Sequence, residues 1–251
     1  MGISCPPLCY LTVENVIEKI AENFKLWEII AEHQHHPEIC SAKLKALLPS
    51  YSLRMQVHAP LSDINIASIS KRIREASLKE VKDAIIFARQ IDAGVVTIHP
   101  GHKSPMTAEH VDLVYRLTVD AVKELAKFGE EMGVKIALEN MPEMGVTICK
   151  TPEEILQMIC GTEVGICFDV GHANTTHKIE EFFKVHHLFL NVHLHDNDGT
   201  RDSHSTVGDG NIKFKSFWPK FGKYKGNYII ESRSIESAVK SKKALSAMGY
   251  R

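Results

Sequence analysis

The chain of 251 residues carries 30 Lys and Arg against 31 Asp and Glu, a formal net charge of −1, so no overall positive field draws it onto nucleic acid or an anionic membrane. Its 44% hydrophobic content suffices for a large core, either as two small domains or as one large α/β barrel. The start, MGISCPPLCYLTVENV, lacks a basic segment followed by an apolar one, and no apolar run approaches the roughly 18 residues of a membrane span, which predicts a soluble, cytoplasmic chain with no membrane partner.

In chain order, short apolar runs alternate with longer stretches of helical period. Predicted strands cover residues 2–4 (GIS), 26–32 (LWEIIAE) and 53–59 (LRMQVHA). After the second, His33, His35 and His36 are expected to be solvated loop residues. A helical face follows at Val81, Ala84, Ile85, Ala88 and Ile91, then a strand at 95–99 (VVTIH). A second face runs through Val111, Val114, Thr118, Ala121, Val122, Leu125 and Phe128 before a strand at 135–140 (KIALEN). Thr151-Pro152-Glu153-Glu154 has the form of a capping box with proline in the first turn, so a helix is expected through Ile155, Met158 and Ile159. Strands at 165–170 (GICFDV), 188–194 (LFLNVHL) and 227–232 (NYIIES) complete the set, and a last helix begins near Ser234.

Eight β-then-α units whose strands are apolar on both faces predict a (β/α)8 TIM barrel, a single domain over residues 1–251, ahead of a doubly wound open sheet. No nucleotide fingerprint follows the first strand, where Gly2 leads into Ile3-Ser4-Cys5-Pro6-Pro7. The only G-x-G, Gly208-Asp209-Gly210, is expected to be a turn. The six cysteines (5, 9, 40, 149, 160, 167) form no C-x-x-C pair and are assigned to packing.

Barrels of this kind place their chemistry at the C-terminal ends of the strands. There the third run closes in His58, the fourth in His99, the fifth in Glu139, the sixth in Asp169 with His172 three residues on, the seventh in His193 and the eighth in Glu231. Carboxylates and imidazoles crowded at one mouth are costly to desolvate unless a cation pairs with them, which predicts bound metal. Donors without thiolate suit Zn²⁺ or Mn²⁺, and also Co²⁺ or Fe²⁺. Glu139, Asp169, His193 and Glu231 satisfy one ion, so with His58, His99, His172, Asp202 and His204 in excess a cluster is expected. Asp196, Asp198 and Asp209 are expected in turns facing solvent, and His195 is expected to point away from His193, outside the ligand set.

These segments, VHAP (57–60), IHPG (98–101), ALEN (137–140), CFDVGH (167–172), VHLHDN (192–197), DSH (202–204) with VGDG (207–210), and IIES (229–232), resemble the xylose isomerase-like barrels. That family includes endonuclease IV, of the second AP-endonuclease family, and many sugar isomerases and epimerases. The resemblance to endonuclease IV implies two or three ions per chain, zinc first. His58, His99 and Glu139 would bind one, with Glu139 bridging to a second at Asp169, His193 and Glu231, while His172, Asp202 and His204 would bind a third. Resemblance to the isomerases implies instead one ion at Glu139, Asp169, His193 and Glu231, with Glu139 and Glu231 as catalytic groups moving a proton beside a carbonyl.

The chain departs from both patterns. His58-Ala59-Pro60-Leu61 has no aromatic residue of the kind that helps endonuclease IV distort DNA, and AEHQHHPEIC does not resemble its DNA-penetrating loop. Gly145 and Gly199 stand where ketose 3-epimerases hold sugar with a glutamate and an arginine. The expectation is therefore a metal-dependent phosphoesterase acting on a sugar phosphate or a small or damaged nucleic acid rather than duplex DNA. The alternatives are a one-metal isomerase or epimerase of a small sugar or sugar phosphate, and a barrel with structural metal that serves as a binding protein.

Overall fold

A computed structural model of the chain describes residues 1–222 and 224–250 and closes all eight predicted strands into a parallel barrel. The strands are β1 (Gly2–Ser4), β2 (Leu26–Ile30), β3 (Arg54–His58), β4 (Val95–Ile98), β5 (Lys135–Glu139), β6 (Gly165–Asp169), β7 (Phe189–Leu194) and β8 (Asn227–Glu231). Closure is made by β8 against β1, with Ser4 beside Glu231 in the ladder. Most strands stop one or two residues before their apolar runs do, because the ladder gives way to single bonds such as Ala59 N to Thr97 O at 2.9 Å.

The helices between and after the strands are α1 (Val13–Asn23), α2 (Pro37–Leu47), α3 (Lys71–Gln90), α4 (Val111–Met132), α5 (Pro152–Ile159), α6 (Val170–Thr175), α7 (Ile179–Phe182), α8 (Phe214–Phe217) and α9 (Ile235–Ala247). α3 buries Val81, Ala84, Ile85 and Ala88, and α4 buries Val114, Thr118, Ala121, Val122 and Leu125, so each turns the apolar stripe of its sequence onto the sheet. α4 stops at Gly133, whose φ of 69° is the left-handed cap that glycine adopts without a Cβ penalty. At α5 the Thr151 hydroxyl accepts from the Glu154 N–H as the capping box predicts, while the Glu154 carboxylate accepts from the N–H of Lys150 instead of Thr151. Ser234 caps α9 through the N–H of Ser237. Among the described residues no helix is long and apolar enough to cross a membrane.

The barrel interior is not wholly apolar. Glu28, in the middle of β2, is fully buried and accepts from Gln56 Nε2 (2.7 Å), Asn191 Nδ2 (2.8 Å) and Thr97 Oγ1 (3.3 Å). Gln56 in turn accepts from Asn227 Nδ2 at 2.8 Å. This polar ladder climbs from the start of β8 to the side chain that β7 presents at the mouth, and it gives a rigid base on which that mouth stands.

Candidate metal centre

The strand ends converge as their sequence order predicts. His58, Glu139, Asp169 and Glu231 are the last residues of β3, β5, β6 and β8, His193 is next to last in β7, and His99 lies one residue beyond β4. Glu139 is central and its two oxygens face different neighbours. Oε2 lies 3.1 Å from His58 Nε2 and 3.3 Å from His99 Nε2, whereas Oε1 lies 3.4 Å from His193 Nδ1 and 3.4 Å from His172 Nδ1. His193 Nδ1 also lies 3.2 Å from Glu231 Oε1 and 3.8 Å from Asp169 Oδ2. One group is thus His58, His99 and Glu139, and a second is Glu139, Asp169, His193 and Glu231, with donor atoms in each within 4.8 Å of one another.

Hydrogen bonds behind the imidazoles fix which nitrogen faces the centre. His58 Nδ1 donates to the carbonyl of Ala59 at 2.8 Å, leaving Nε2 toward Glu139. Glu28 Oε1 lies 2.8 Å and Asn191 Nδ2 lies 3.0 Å from His193 Nε2, so Nε2 is engaged below the centre and Nδ1 is the nitrogen turned toward it. Sequence reasoning missed Glu28. The available signal was a carboxylate inside LWEII, a strand buried on both faces, where an acid has to point into the barrel and find partners.

A third group stands on the loop beyond β7. His172 Nδ1 donates to Asn140 O at 2.8 Å and turns Nε2 to within 3.3 Å of Asp202 Oδ2, and His204 Nε2 lies 2.9 Å from the same oxygen. His204 adopts φ 48°, a left-handed conformation uncommon for a residue with a Cβ, and this aims its ring back over the mouth. Asp196 holds the loop. It is buried, accepts from the N–H groups of Asn197 (2.9 Å), Gly208 (2.9 Å) and Ile212 (3.2 Å), and exchanges two backbone bonds with Ser205. The expectation that Asp196 faces solvent is therefore wrong, since three backbone N–H groups need its buried carboxylate as acceptor. Asp198 does sit exposed in a turn, bonded to Thr200, and Asp209 is exposed in the turn predicted for Gly208-Asp209-Gly210.

The direction expected for His195 is also overturned. Positions two apart on a strand share a face, so His195 follows Asn191 and His193 inward. It is fully buried, with Nε2 3.1 Å from Asp169 Oδ1 and 3.5 Å from Asp202 Oδ1, and it joins His172, Asp202 and His204 in the third donor group. Gly171 makes the room: a Cβ there would fall 1.9 Å from His195 Cε1.

Charge in the cluster is arranged for a cation. Burial alone would raise the Glu139 carboxyl, but the imidazoles of His193, His58 and His99 outweigh it and hold it well below the usual range. Burial would lower His58, yet Glu139 and the neighbouring carboxylates carry it up to about 9. For Asp202 burial again opposes ionisation, and His172 and His204 overcome it and depress the carboxyl strongly. Asp169 Oδ2, His193 Nδ1, Asp202 Oδ1 and both nitrogens of His195 are buried near other polar atoms but in no hydrogen-bond geometry. Orphaned donors of this kind are expensive, and divalent ions would satisfy Asp169 Oδ2, His193 Nδ1 and Asp202 Oδ1, so these residues fit a metal.

Other predicted positions fall outside the centre. His35 is buried against Trp27, with ring centroids 5.4 Å apart, and His36 caps α2 and lies 3.0 Å from Glu80, so of the three only His33 is the exposed histidine expected, its ring 4.9 Å from that of Tyr10. Five cysteines are buried and free, in keeping with packing. Cys167 faces inward beside Glu139 and His193, where burial pushes its thiol well above its usual value and keeps it a poor ligand. Next to His99 a cavity of about 210 Å³ opens between Pro60, Leu61, Ile64, Ile66 and His102.

Residues 17–248 match the family model described as xylose isomerase-like TIM barrel. An uncharacterized protein of Methanocaldococcus jannaschii is 37% identical over 97% of this chain and 87% of its own length. A crystal structure of a D-tagatose 3-epimerase-like protein superposes with TM-score 0.90 at 34% identity, covering 98% of this chain and 96% of that one. A probable endonuclease 4 of Thermoplasma volcanium is 30% identical over 59% of this chain and 56% of its own. The barrel, the converging strand ends and these similarities agree: the chain belongs to the xylose isomerase-like TIM barrel family.

Proposed function

We propose that the chain is a divalent-metal-dependent enzyme that hydrolyses a phosphoester of a small substrate, such as a sugar phosphate or a short or damaged nucleic acid. The observation that carries this reading is the division of Glu139, with Oε2 turned to His58 and His99 and Oε1 turned to His193. One carboxylate shared between two donor groups is the framework of a paired-ion centre, whereas a one-ion isomerase leaves His58 and His99 without a ligand's task. Ions bound there, zinc first among candidates, would supply Lewis acidity toward the phosphoryl oxygens and acidify water near neutrality.

His58, His99 and Glu139 would hold one ion, and Glu139, Asp169, His193 and Glu231 the second. The His172 N–H occupies Asp169 Oδ1 at 2.6 Å and so orients Oδ2 toward His193. Glu28 and Asn191 lie against His193 Nε2, which leaves Nδ1 to face the site. The largely apolar cavity beside His99 suits the non-reacting part of a small molecule, and the mouth loop His58-Ala59-Pro60-Leu61 offers no aromatic wedge for duplex DNA.

The test is elemental analysis of carefully prepared protein together with hydrolysis assays across sugar phosphates and abasic oligonucleotides. At least two tightly bound ions per chain are expected, and one at most would sink this reading. A second reading, a one-ion sugar isomerase or epimerase, is favoured by the similarity to the D-tagatose 3-epimerase-like protein and by Glu139 and Glu231 both facing His193 Nδ1. Here a glutamate would exchange a carbon-bound proton. His99→Ala separates the two, since it abolishes hydrolysis by a paired centre and leaves one-ion proton exchange into sugars in deuterated buffer largely intact.

A further inference from the structure

We infer that the cavity beside His99 receives the organic group of the substrate and that this group is apolar, an alkyl chain or a single aromatic ring instead of a polyhydroxylated sugar. This rests on the reading of the mouth as a phosphoesterase and narrows its substrates to alkyl and aryl phosphoesters. With such a substrate water adds to phosphorus, the bond from phosphorus to the ester oxygen breaks, and the alcohol or phenol leaves with a proton from that water.

Position and lining both point this way. The cavity lies between the loops that follow β3, β4 and β5, and His99, which belongs to the donor group of His58 and Glu139, is also part of its wall. Leu61, Ile64, Ile66, Val81, Met141 and Val146 form most of the lining, and among the described residues no carboxylate, lysine or arginine takes part in it. The polar groups along the wall are already engaged. The Thr147 hydroxyl donates to the Pro142 carbonyl at 2.7 Å, the Leu61 N–H donates to Glu32 at 2.5 Å, and the Val146 carbonyl accepts from the Lys103 N–H at 2.8 Å. The N–H and carbonyl of His102 both bond to the Asn65 side chain, at 3.1 and 2.9 Å. These bonds tie each loop to the next, so the cavity is formed before anything enters it.

Size sets the class of occupant. An apolar cavity of about 150 Å³ stays dry and binds benzene. At about 210 Å³ this one has room for a six-membered ring with one or two further carbons, or for an alkyl chain of like bulk. A sugar of that size carries several hydroxyls, and the His99 and His102 rings are the side-chain donors left to meet them. Each hydroxyl taken from water without a partner weakens binding, whereas each methylene moved onto this wall strengthens it by about 4-fold. The wall itself therefore selects the apolar group, while the donors at the strand ends meet the phosphoryl oxygens through bound ions.

The experiment titrates the zinc-loaded full chain by calorimetry with methyl-, ethyl-, propyl- and butylphosphonate, benzylphosphonate and glucose 6-phosphate, and locates bound benzylphosphonate by crystallography. The carbon–phosphorus bond of a phosphonate is not hydrolysed, so binding is read apart from catalysis. Affinity should rise about 4-fold per methylene, roughly 60-fold from methyl- to butylphosphonate. Glucose 6-phosphate should bind more weakly than benzylphosphonate, whose ring is expected between Ile66 and Met141. Met141→Gln replaces a half-buried side chain of the wall with a polar one of like length, and should bind methylphosphonate as wild type does and benzylphosphonate roughly 10-fold more weakly. A flat series, no binding by any member, a ring outside the cavity, tighter binding of glucose 6-phosphate, or unchanged benzylphosphonate affinity in Met141→Gln would overturn the inference. Rising affinity without hydrolysis of any phosphoester would overturn the proposed reaction and leave the apolar subsite standing. Hydrolysis of sugar phosphates with a flat phosphonate series would overturn the subsite alone.

Discussion

The donors at the mouth come from two kinds of backbone. His58, Glu139, Asp169, His193 and Glu231 stand on strands locked into the barrel ladder, and their positions follow from the closure of the sheet. Asp202 and His204 stand on a loop with no ladder, and reach the same mouth only because Asp196 gathers three N–H groups and His204 accepts a left-handed φ. The strand-borne donors are placed by the fold itself, and their geometry survives local damage. The loop-borne donors are placed by a few specific bonds and depend on each of them.

The comparison is tested most severely at Glu139, the strand-borne carboxylate common to two groups. Glu139→Gln is expected to remove both of the ions it shares and to lower phosphoester hydrolysis by roughly 10³-fold or more, the scale of losing a principal electrostatic stabiliser. Metal analysis should then find only the outer ion, the one at the third group of His172, Asp202 and His204. Retention of all ions would show that the strand ends do not form the centre at all.

Glu28 probes the strand-borne group from below. Glu28→Gln keeps the volume and loses the charge beside His193 Nε2, and removal of such partners weakens metal binding by about 10- to 100-fold. The loss should fall on one ion of the Glu139 pair and spare the outer one, as followed by competition titration. A change at the outer site instead would mean that the polar ladder stabilises the mouth only in a general way.

For the loop, Asp196→Ala deletes the acceptor of three backbone N–H groups and is expected to cost about 2 kcal/mol of stability by denaturant titration. Outer-ion affinity should fall with it, since Asp202 and His204 lose their register, while the Glu139 pair keeps its ions. Equal losses at all sites would erase the distinction between the two kinds of backbone.

That distinction also explains what could be read from the sequence. Barrel closure and the strand-end donors were legible because eight mainly apolar runs each give way to a polar residue at the same end, so His58, Glu139, Asp169 and Glu231 mark their own positions. Asp202 and His204 were legible only through family resemblance, because no periodicity governs a loop. His195 was misplaced although strand alternation, followed two residues onward from His193, puts both on one face. Asp196 could not be told from Asp198 and Asp209 by composition: what separates them is which backbone N–H groups the folded loop brings within reach. Glu28 was hidden as a single polar letter inside a core strand, where its partners Gln56, Thr97 and Asn191 come from three other strands.

The smallest effect concerns a histidine at the same end of the barrel that serves packing instead of metal. Burial depresses His35 to about 4, against the pull of the Leu11 carbonyl and with help from the nearby His33. Below pH 6.5 the unfolded chain takes up a proton that the folded chain refuses until about pH 4, so stability due to this residue is complete above 6.5 and falls away between those limits. At pH 5.5 the loss amounts to about 1 kcal/mol, one unit below the unfolded value. His35→Gln cannot titrate, so between pH 7.5 and 5.5 its denaturation midpoint should fall less than that of wild type by this margin, while every other acid-sensitive group contributes equally to both. Its ion content should match wild type, because a buried ring set edge-on to Trp27 lies outside all three donor groups. Loss of an ion in His35→Gln would instead extend the loop-borne set to the loop after β2, and the division between placed and tied donors would have to be redrawn.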